Sequence, residues 1–247
     1  MSTIVPQRLQ KVLAQRGVGS RREIETWIVA GKIQINGKTA VLGAKVLPHD
    51  NITISGRAVP VAAPDSVKHR VILYNKPVGE ICTRSDPQGR ITVFSHLPRL
   101  QHQRWISVGR LDINSSGLIL FTTDGELAHR LMHPAANIER EYAVRVLGTV
   151  TKEIVDKAIA GVTLDDGTIA KFNAVTFVGG GGANSWYNVT LTQGRYREVR
   201  RIWESQGLKV SRLIRIRFGA VLLPRDLPEG KFIDLDIDSA FDHLNAY

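Results

Sequence analysis

The sequence predicts an α+β protein in two parts: a small unit of two helices and a short sheet, then a large, mixed, mostly antiparallel β-sheet with flanking helices. Three observations predict it. Helix punctuation is dense in the first forty residues, strand-like runs outnumber helical ones after residue 70, and VPVAAPDSVK, from Val59 to Lys68, has no useful periodicity and reads as a linker. The domains are placed at 6–62 and 68–243. With 247 residues, 43% of them hydrophobic, the chain can bury a proper core.

Leu9, Val12 and Leu13 mark one face of a first helix, which Gly17 and Gly19 end. Ser20 and Glu23 have the spacing of a capping box, and Ile24, Trp27 and Ile28 give the second helix its apolar stripe. Gly31 suits an αL helix end, after which Ile33 and Ile35 alternate into Asn36-Gly37, a hairpin turn signal.

Beyond the linker, strands are expected at Val71 to Tyr74, Trp105 to Val108, Leu118 to Phe121, Tyr142 to Leu147, Phe172 to Val178 and Tyr187 to Leu191. A helix is expected from Thr123 as N-cap, with Glu126 returning the bond, Leu127 and Leu131 inward and Pro134 past its end. Gly179 to Gly182 reads as a flexible hairpin tip, because Ala183-Asn184 stands where a phosphate loop needs Gly-Lys-Ser/Thr. A further helix spans about Glu198 to Gln206, with Val199, Ile202 and Trp203 inward and Gly207 at its end. Ile214, Ile216 and Phe218 then alternate with Arg215 and Arg217, a strand with one core face and one cationic face.

A net charge of +10 favours polyanionic partners, with nucleic acid first among them. Arg8, Lys11, Arg16, Arg21 and Arg22 precede the first acidic residue, and a second basic block runs from Arg195 to Arg217 against Glu198 and Glu204. The acidic stretch from Asp226 to Asp242 is expected to point away from RNA. The single cysteine, Cys82, excludes an internal disulfide, suits a reducing compartment and is expected to pack rather than react. No apolar signal region and no membrane-length run occurs, so a cytoplasmic protein with no membrane partner is expected. His129 and His133 have a zinc-helix spacing, but Arg130 replaces the required glutamate and no Cys/His cluster accompanies them, so no metal site is expected.

Residues 109–132 read GRLDINSSGLILFTTDGELAHRLM and set Asp112 in a polar turn just ahead of a buried strand. Such an aspartate either closes an Asx turn or presents a carboxylate to a cleft. Tyr142, alone, reads as a core residue at a strand start.

Asn75-Lys76-Pro77-Val78-Gly79, the Asp112 block, Arg140-Glu141-Tyr142 and the run from Gly194 to Arg201 resemble, in order, the motifs of RNA pseudouridine synthases, in the branch that acts on ribosomal RNA. The resemblance implies an isomerase that needs no cofactor, with Asp112 as the catalytic residue and Tyr142 stacked on the target uracil. It implies that Arg200 pairs with Asp112 and that Leu213 packs against the tyrosine in a pocket shared with Arg110. RLQKVLAQRGVGSRREIETWIVAGKIQINGK resembles the small RNA-binding domain named from a ribosomal small-subunit protein, the S-four domain. Carried over, Arg8, Lys11, Arg21, Arg22 and Lys38 would touch phosphates, joined by Arg195 and Arg197 of the second basic block.

Within the branch, MHPAANIEREYAVRV, NSWYNVTLTQGRYREVRRIWE and VSRLIRIRFG look most like the B-type large-subunit enzymes. That implies a monomer whose partner is a 23S rRNA stem-loop with a flipped uridine. Many such relatives continue into a long basic tail, whereas this chain stops at Tyr247. Two other readings are a small-subunit rRNA synthase and a non-catalytic ribosome-assembly protein that keeps the fold as an RNA platform.

Overall fold

The computed structural model describes residues 5–59, 68–101 and 103–236; residues 60–67 of the expected linker, the acidic residues Asp238 and Asp242 and the expected domain end at 243 lie outside the described residues. Two compact units are present, the first gathering the described residues up to Arg70 with Pro98–Ile106 and Thr123–Gly125, the second the remainder. Three segments expected in the second domain, residues 68–70, Pro98–Ile106 and Thr123–Gly125, thus belong to the first unit.

The first unit runs β1 (Gln7–Arg8), α1 (Leu9–Gln15), α2 (Arg21–Val29), β2 (Ile33–Ile35), β3 (Lys38–Thr39), β4 (Lys45–Val46), β5 (Ile52–Ile54) and β6 (Arg57–Val59). The capping box forms as expected: the Glu23 amide donates to Ser20 Oγ at 3.1 Å and the Ser20 amide to Glu23 Oε2 at 3.2 Å. Gly31 takes the left-handed conformation that ends the helix, and Asn36 and Gly37, both at positive φ, turn β2 into β3. Leu9, Leu13, Ile24, Ile28, Ile33 and Ile52 form the core between the helix pair and the sheet ordered β3-β2-β5-β6.

The second unit is built on a sheet that has nine strands among the described residues. Its elements are β7 (Val71–Lys76), β8 (Ile106–Val108), β9 (Ser116–Thr122), α3 (Gly125–Met132), β10 (Arg140–Leu147), α4 (Lys152–Ala160), β11 (Val162–Thr163), β12 (Ile169–Ala170), β13 (Ala174–Gly181), β14 (Asn184–Leu191), α5 (Glu198–Glu204), β15 (Lys209–Phe218), β16 (Val221–Leu222) and β17 (Phe232–Leu235). The main order is β13-β14-β10-β15-β9-β7-β17, with β8 beside β9, β16 beside β15, and the small β11–β12 pair apart. β9 pairs antiparallel with β7 but parallel with β15. Every residue of β7 and β9 is buried, which is why VILYNK and SGLILFT read as nearly continuous runs rather than alternating ones. Trp203 of α5 packs its ring 5.6 Å from both Phe172 and Tyr187, pinning that helix to the sheet.

Gly117 marks where β9 meets β15. Its φ of 99° is costly for other residues, and a Cβ there would lie 2.3 Å from the Arg215 carbonyl oxygen. Gly117→Ala is therefore expected to lower stability by about 2 to 5 kcal/mol, from backbone strain plus overpacking. A urea titration checks this: the midpoint should fall with the slope unchanged.

Three expectations are corrected. The helix after β9 begins at Gly125, not behind a Thr123 cap, because the Thr123 hydroxyl accepts the Arg70 amide at 2.9 Å. β15 has no exposed cationic face: Arg215 is buried, Ile214 and Ile216 are only half-buried, and the register against β10 shifts at Glu141/Tyr142 and Arg145/Val146. In the β13–β14 hairpin, Gly179 to Gly181 lie within the strand, and the turn is Gly182-Ala183.

Candidate active site

The turn that carries Asp112 is held by backbone, leaving the side chain for other work. The Ser115 amide donates to the Asp112 carbonyl at 3.0 Å, closing the turn ahead of β9. Lys76, the last residue of β7, is fully buried, and its ammonium donates to the carbonyls of Pro77 at 2.9 Å, Asp112 at 3.2 Å and Ser115 at 2.8 Å. Burial pushes the Lys76 pKa down, while the nearby acidic groups of Cys82, Glu80 and Asp112 oppose that shift. All three ammonium protons are thus engaged, two of them on carbonyls of the turn and one on Pro77.

Arg200 of α5 makes the second clamp. Its Nη2 donates to the Asn114 carbonyl at 2.8 Å and its Nη1 to the Val210 carbonyl at 2.9 Å, so one guanidinium ties the turn to the start of β15. Burial lowers the Arg200 pKa, and the charge of Arg197 adds to that effect while Asp112 opposes it.

Asp112 is half-buried and lines a cleft of about 830 Å³ in the second unit, within the size range of small-ligand sites. Tyr142 and Leu213 line it from neighbouring strands: Tyr142 faces Arg215 and Val144 faces Leu213 across β10 and β15. Arg110, Arg140, Arg195, Arg197 and Arg215 line the same cleft against the carboxylates of Asp112 and Glu198, so an anionic ligand is favoured. Glu198 accepts the Arg195 amide at 3.0 Å and orders the loop at the head of α5, where Arg197 sits at a φ of 49°.

The structure brings Asp112, Tyr142, Leu213, Arg110, Arg195 and Arg197 to one cleft. It does not bring the Arg200 guanidinium within 4.0 Å of the Asp112 carboxylate; its hydrogen bonds go to main-chain carbonyls instead. Arg195 commits one nitrogen to the Ile169 carbonyl at 2.7 Å, and Arg197 lies 3.5 Å from Glu204. In the first unit, Arg8, Arg21, Arg22 and Lys38 are exposed, with Lys11 half-buried. Arg21 and Arg22 sit in the first turn of α2, where the helix dipole disfavours cations and a bound anion would relieve them.

Sequence reasoning missed Lys76 and Arg215. A lysine closing an otherwise apolar run, VILYNK, was the available signal for the first; nothing local marks the second. Cys82 packs as expected, its thiol sharing hydrogen bonds with the Leu111 main chain and its pKa raised by burial. His133 Nδ1 accepts the Ala135 amide at 3.2 Å, and among the described residues no group of three His, Cys, Asp or Glu side chains is placed to hold a metal.

A carboxylate on a doubly clamped turn thus shares a cationic cleft of a mixed sheet with a tyrosine and a leucine. The RNA pseudouridylate synthase family matches residues 70–205, the S4 domain matches residues 7–52, and the chain belongs to the pseudouridine synthase family. It is 55% identical to the ribosomal large subunit pseudouridine synthase B of Pseudomonas aeruginosa, over 94% of this chain and 60% of that one. To proteins of the same name it is 54% identical in Haemophilus influenzae, over 94% and 66%, and 54% in Escherichia coli, over 94% and 80%. The chain thus spans under two thirds of the first two of these relatives. A crystal structure of a pseudouridylate synthase superposes with a TM-score of 0.65 at 25% identity, covering 95% of this chain and 98% of that one. No helix among the described residues is long and apolar enough to cross a membrane.

Proposed function

We propose that the chain isomerises a uridine of 23S rRNA to pseudouridine as a cytoplasmic monomer, without a cofactor. The observation that carries this reading is Asp112 on its clamped turn, lining one cleft with Tyr142 and Leu213. The bond from ribose to uracil nitrogen breaks, the base turns, and ribose rejoins carbon five; Asp112 starts the reaction at the sugar. The target leaves its stack to reach the cleft, so a stem-loop uridine is the substrate, held against the Tyr142 ring. Stacking of that kind contributes about 1 to 3 kcal/mol per base.

Arg200 acts on Asp112 by holding its turn through the Asn114 carbonyl and by placing a cation near the acid. Tightening of catalytic contacts when substrate binds would bring the two groups closer. The first unit supplies phosphate contacts through Arg8, Lys11, Arg21, Arg22 and Lys38, which set affinity and register rather than base identity.

Neutralising Arg8, Arg21, Arg22 and Lys38 together to glutamine tests that division of labour without removing any core residue. Every ion pair with phosphate that the substitutions remove should flatten the slope of log affinity against log salt by about 0.7 for single-stranded RNA. The single-turnover rate at saturating RNA should stay near its original value. An unchanged salt slope with a collapsed saturating rate would mean that these residues shape the active site instead of gripping RNA.

A further inference from the structure

We propose that Arg215 is a substrate-binding residue whose buried guanidinium donates to a carbonyl oxygen of the target uracil and stabilises the charge the base carries as its bond to ribose breaks. This rests on the pseudouridine synthase reading of the cleft.

Arg215 is 2% exposed, yet it lines the cleft. It lies mid-sheet, paired with Tyr142 across β10 and with Gly117 across β9. Its Nε donates to the Leu118 carbonyl at 2.6 Å, and its guanidinium lies 5.5 Å from the Phe218 ring centre. Those contacts fix the plane of the group, and Nη2 is then left buried with no hydrogen-bond partner. An unsatisfied buried donor costs about 1 to 3 kcal/mol, and more for a charged group, so it calls for an acceptor that arrives from elsewhere. Arg140, on the same phenylalanine at 5.2 Å, differs: its Nη1 already serves the Ile138 and Thr192 carbonyls.

Depth decides which acceptor. Arg110 and Arg195 are exposed and suited to phosphates, whereas Arg215 sits on the cleft wall beside Tyr142, where a stacked uracil presents O2 or O4. When the C1′–N1 bond breaks, its electron pair stays with the base and spreads onto O2 and O4. C5 then bonds to C1′, the C5 proton leaves and N1 gains one. Substrate and product are isomers, and no oxidant or reductant is consumed. A fixed cation on a base oxygen is worth most at the moment when the base is anionic.

The test is single-turnover conversion at saturating RNA by Arg215→Gln and Arg215→Lys. The target position carries either uridine or 5-fluorouridine, and loss of the original glycosidic bond is the signal. Arg215→Gln should slow uridine about 10²- to 10³-fold while RNA affinity and salt slope stay near wild type. Fluorine stabilises the departing base, so the slowing should be markedly smaller for 5-fluorouridine. The same contrast between bases is expected, weaker, for Arg215→Lys, which keeps a charge if the glutamine variant does not fold. Equal slowing of both bases overturns the inference and makes Arg215 a sheet-packing residue. Reduced affinity with a flatter salt slope and a normal saturating rate overturns it in favour of a phosphate-binding role. A wild-type chain that converts no uridine at all defeats the functional reading itself, and the inference with it.

Discussion

Asp112→Asn is expected to abolish pseudouridine formation while the fold and RNA affinity stay close to those of the original chain. The substitution keeps size and shape and removes the anionic oxygen proposed to start the reaction. The structure gives a specific reason why the fold should tolerate it. Lys76, Ser115 and Arg200 hold the turn through the carbonyls of Asp112, Ser115 and Asn114 and the Ser115 amide, none of which the substitution touches. Affinity should not fall, because the change removes one negative charge from a cleft lined by five arginines. Substantial residual turnover, with the melting temperature unchanged, would remove Asp112 from the chemistry.

Arg200→Met is expected to lower both the rate and the stability, and the two losses have different origins. Removing the guanidinium leaves the buried Val210 carbonyl without its donor, which costs about 1 to 3 kcal/mol, and frees the more exposed Asn114 carbonyl of the turn at a smaller cost. The turn then loosens and Asp112 loses a neighbouring cation, so the single-turnover rate at saturating RNA should fall. Stability from the clamp and activity from the charge are separable with Arg200→Lys, which keeps the charge but not the two-pronged reach. Were Arg200→Met to convert bound RNA at the original single-turnover rate, neither clamp nor charge would matter to the reaction.

What was legible in the sequence was local. The Ser20–Glu23 box, the αL glycine at Gly31 and the Asn36-Gly37 turn depend on residues within three or four positions of one another, and all three form. β7 and β9 are legible to within a few residues because every residue in them is buried, and β13, with no buried residue, still runs close to its apolar stretch, at Ala174–Gly181 against the expected Phe172 to Val178. What failed depended on distant partners. Thr123 does not cap α3 because its hydroxyl goes to the main chain of Arg70, 53 residues away. Arg215 is buried because two register shifts and a parallel neighbour break the simple alternation along β15. Lys76 clamps a turn 36 to 39 residues further on. At the site, the residues named by resemblance, Asp112, Tyr142, Leu213 and Arg110, line one cleft, and the hydrogen bonds of Arg200 to the Asn114 and Val210 carbonyls were not legible because they join distant segments.

Pseudouridine mapped nucleotide by nucleotide in both ribosomal RNAs of a strain lacking this gene, and of that strain complemented with the original chain or with Asp112→Asn, tests the central claim most directly. One uridine of 23S rRNA should lose its modification, regain it with the original chain, and stay unmodified with Asp112→Asn. Loss confined to 16S rRNA would make the chain a small-subunit enzyme, and unchanged modification in both RNAs would contradict the catalytic account altogether.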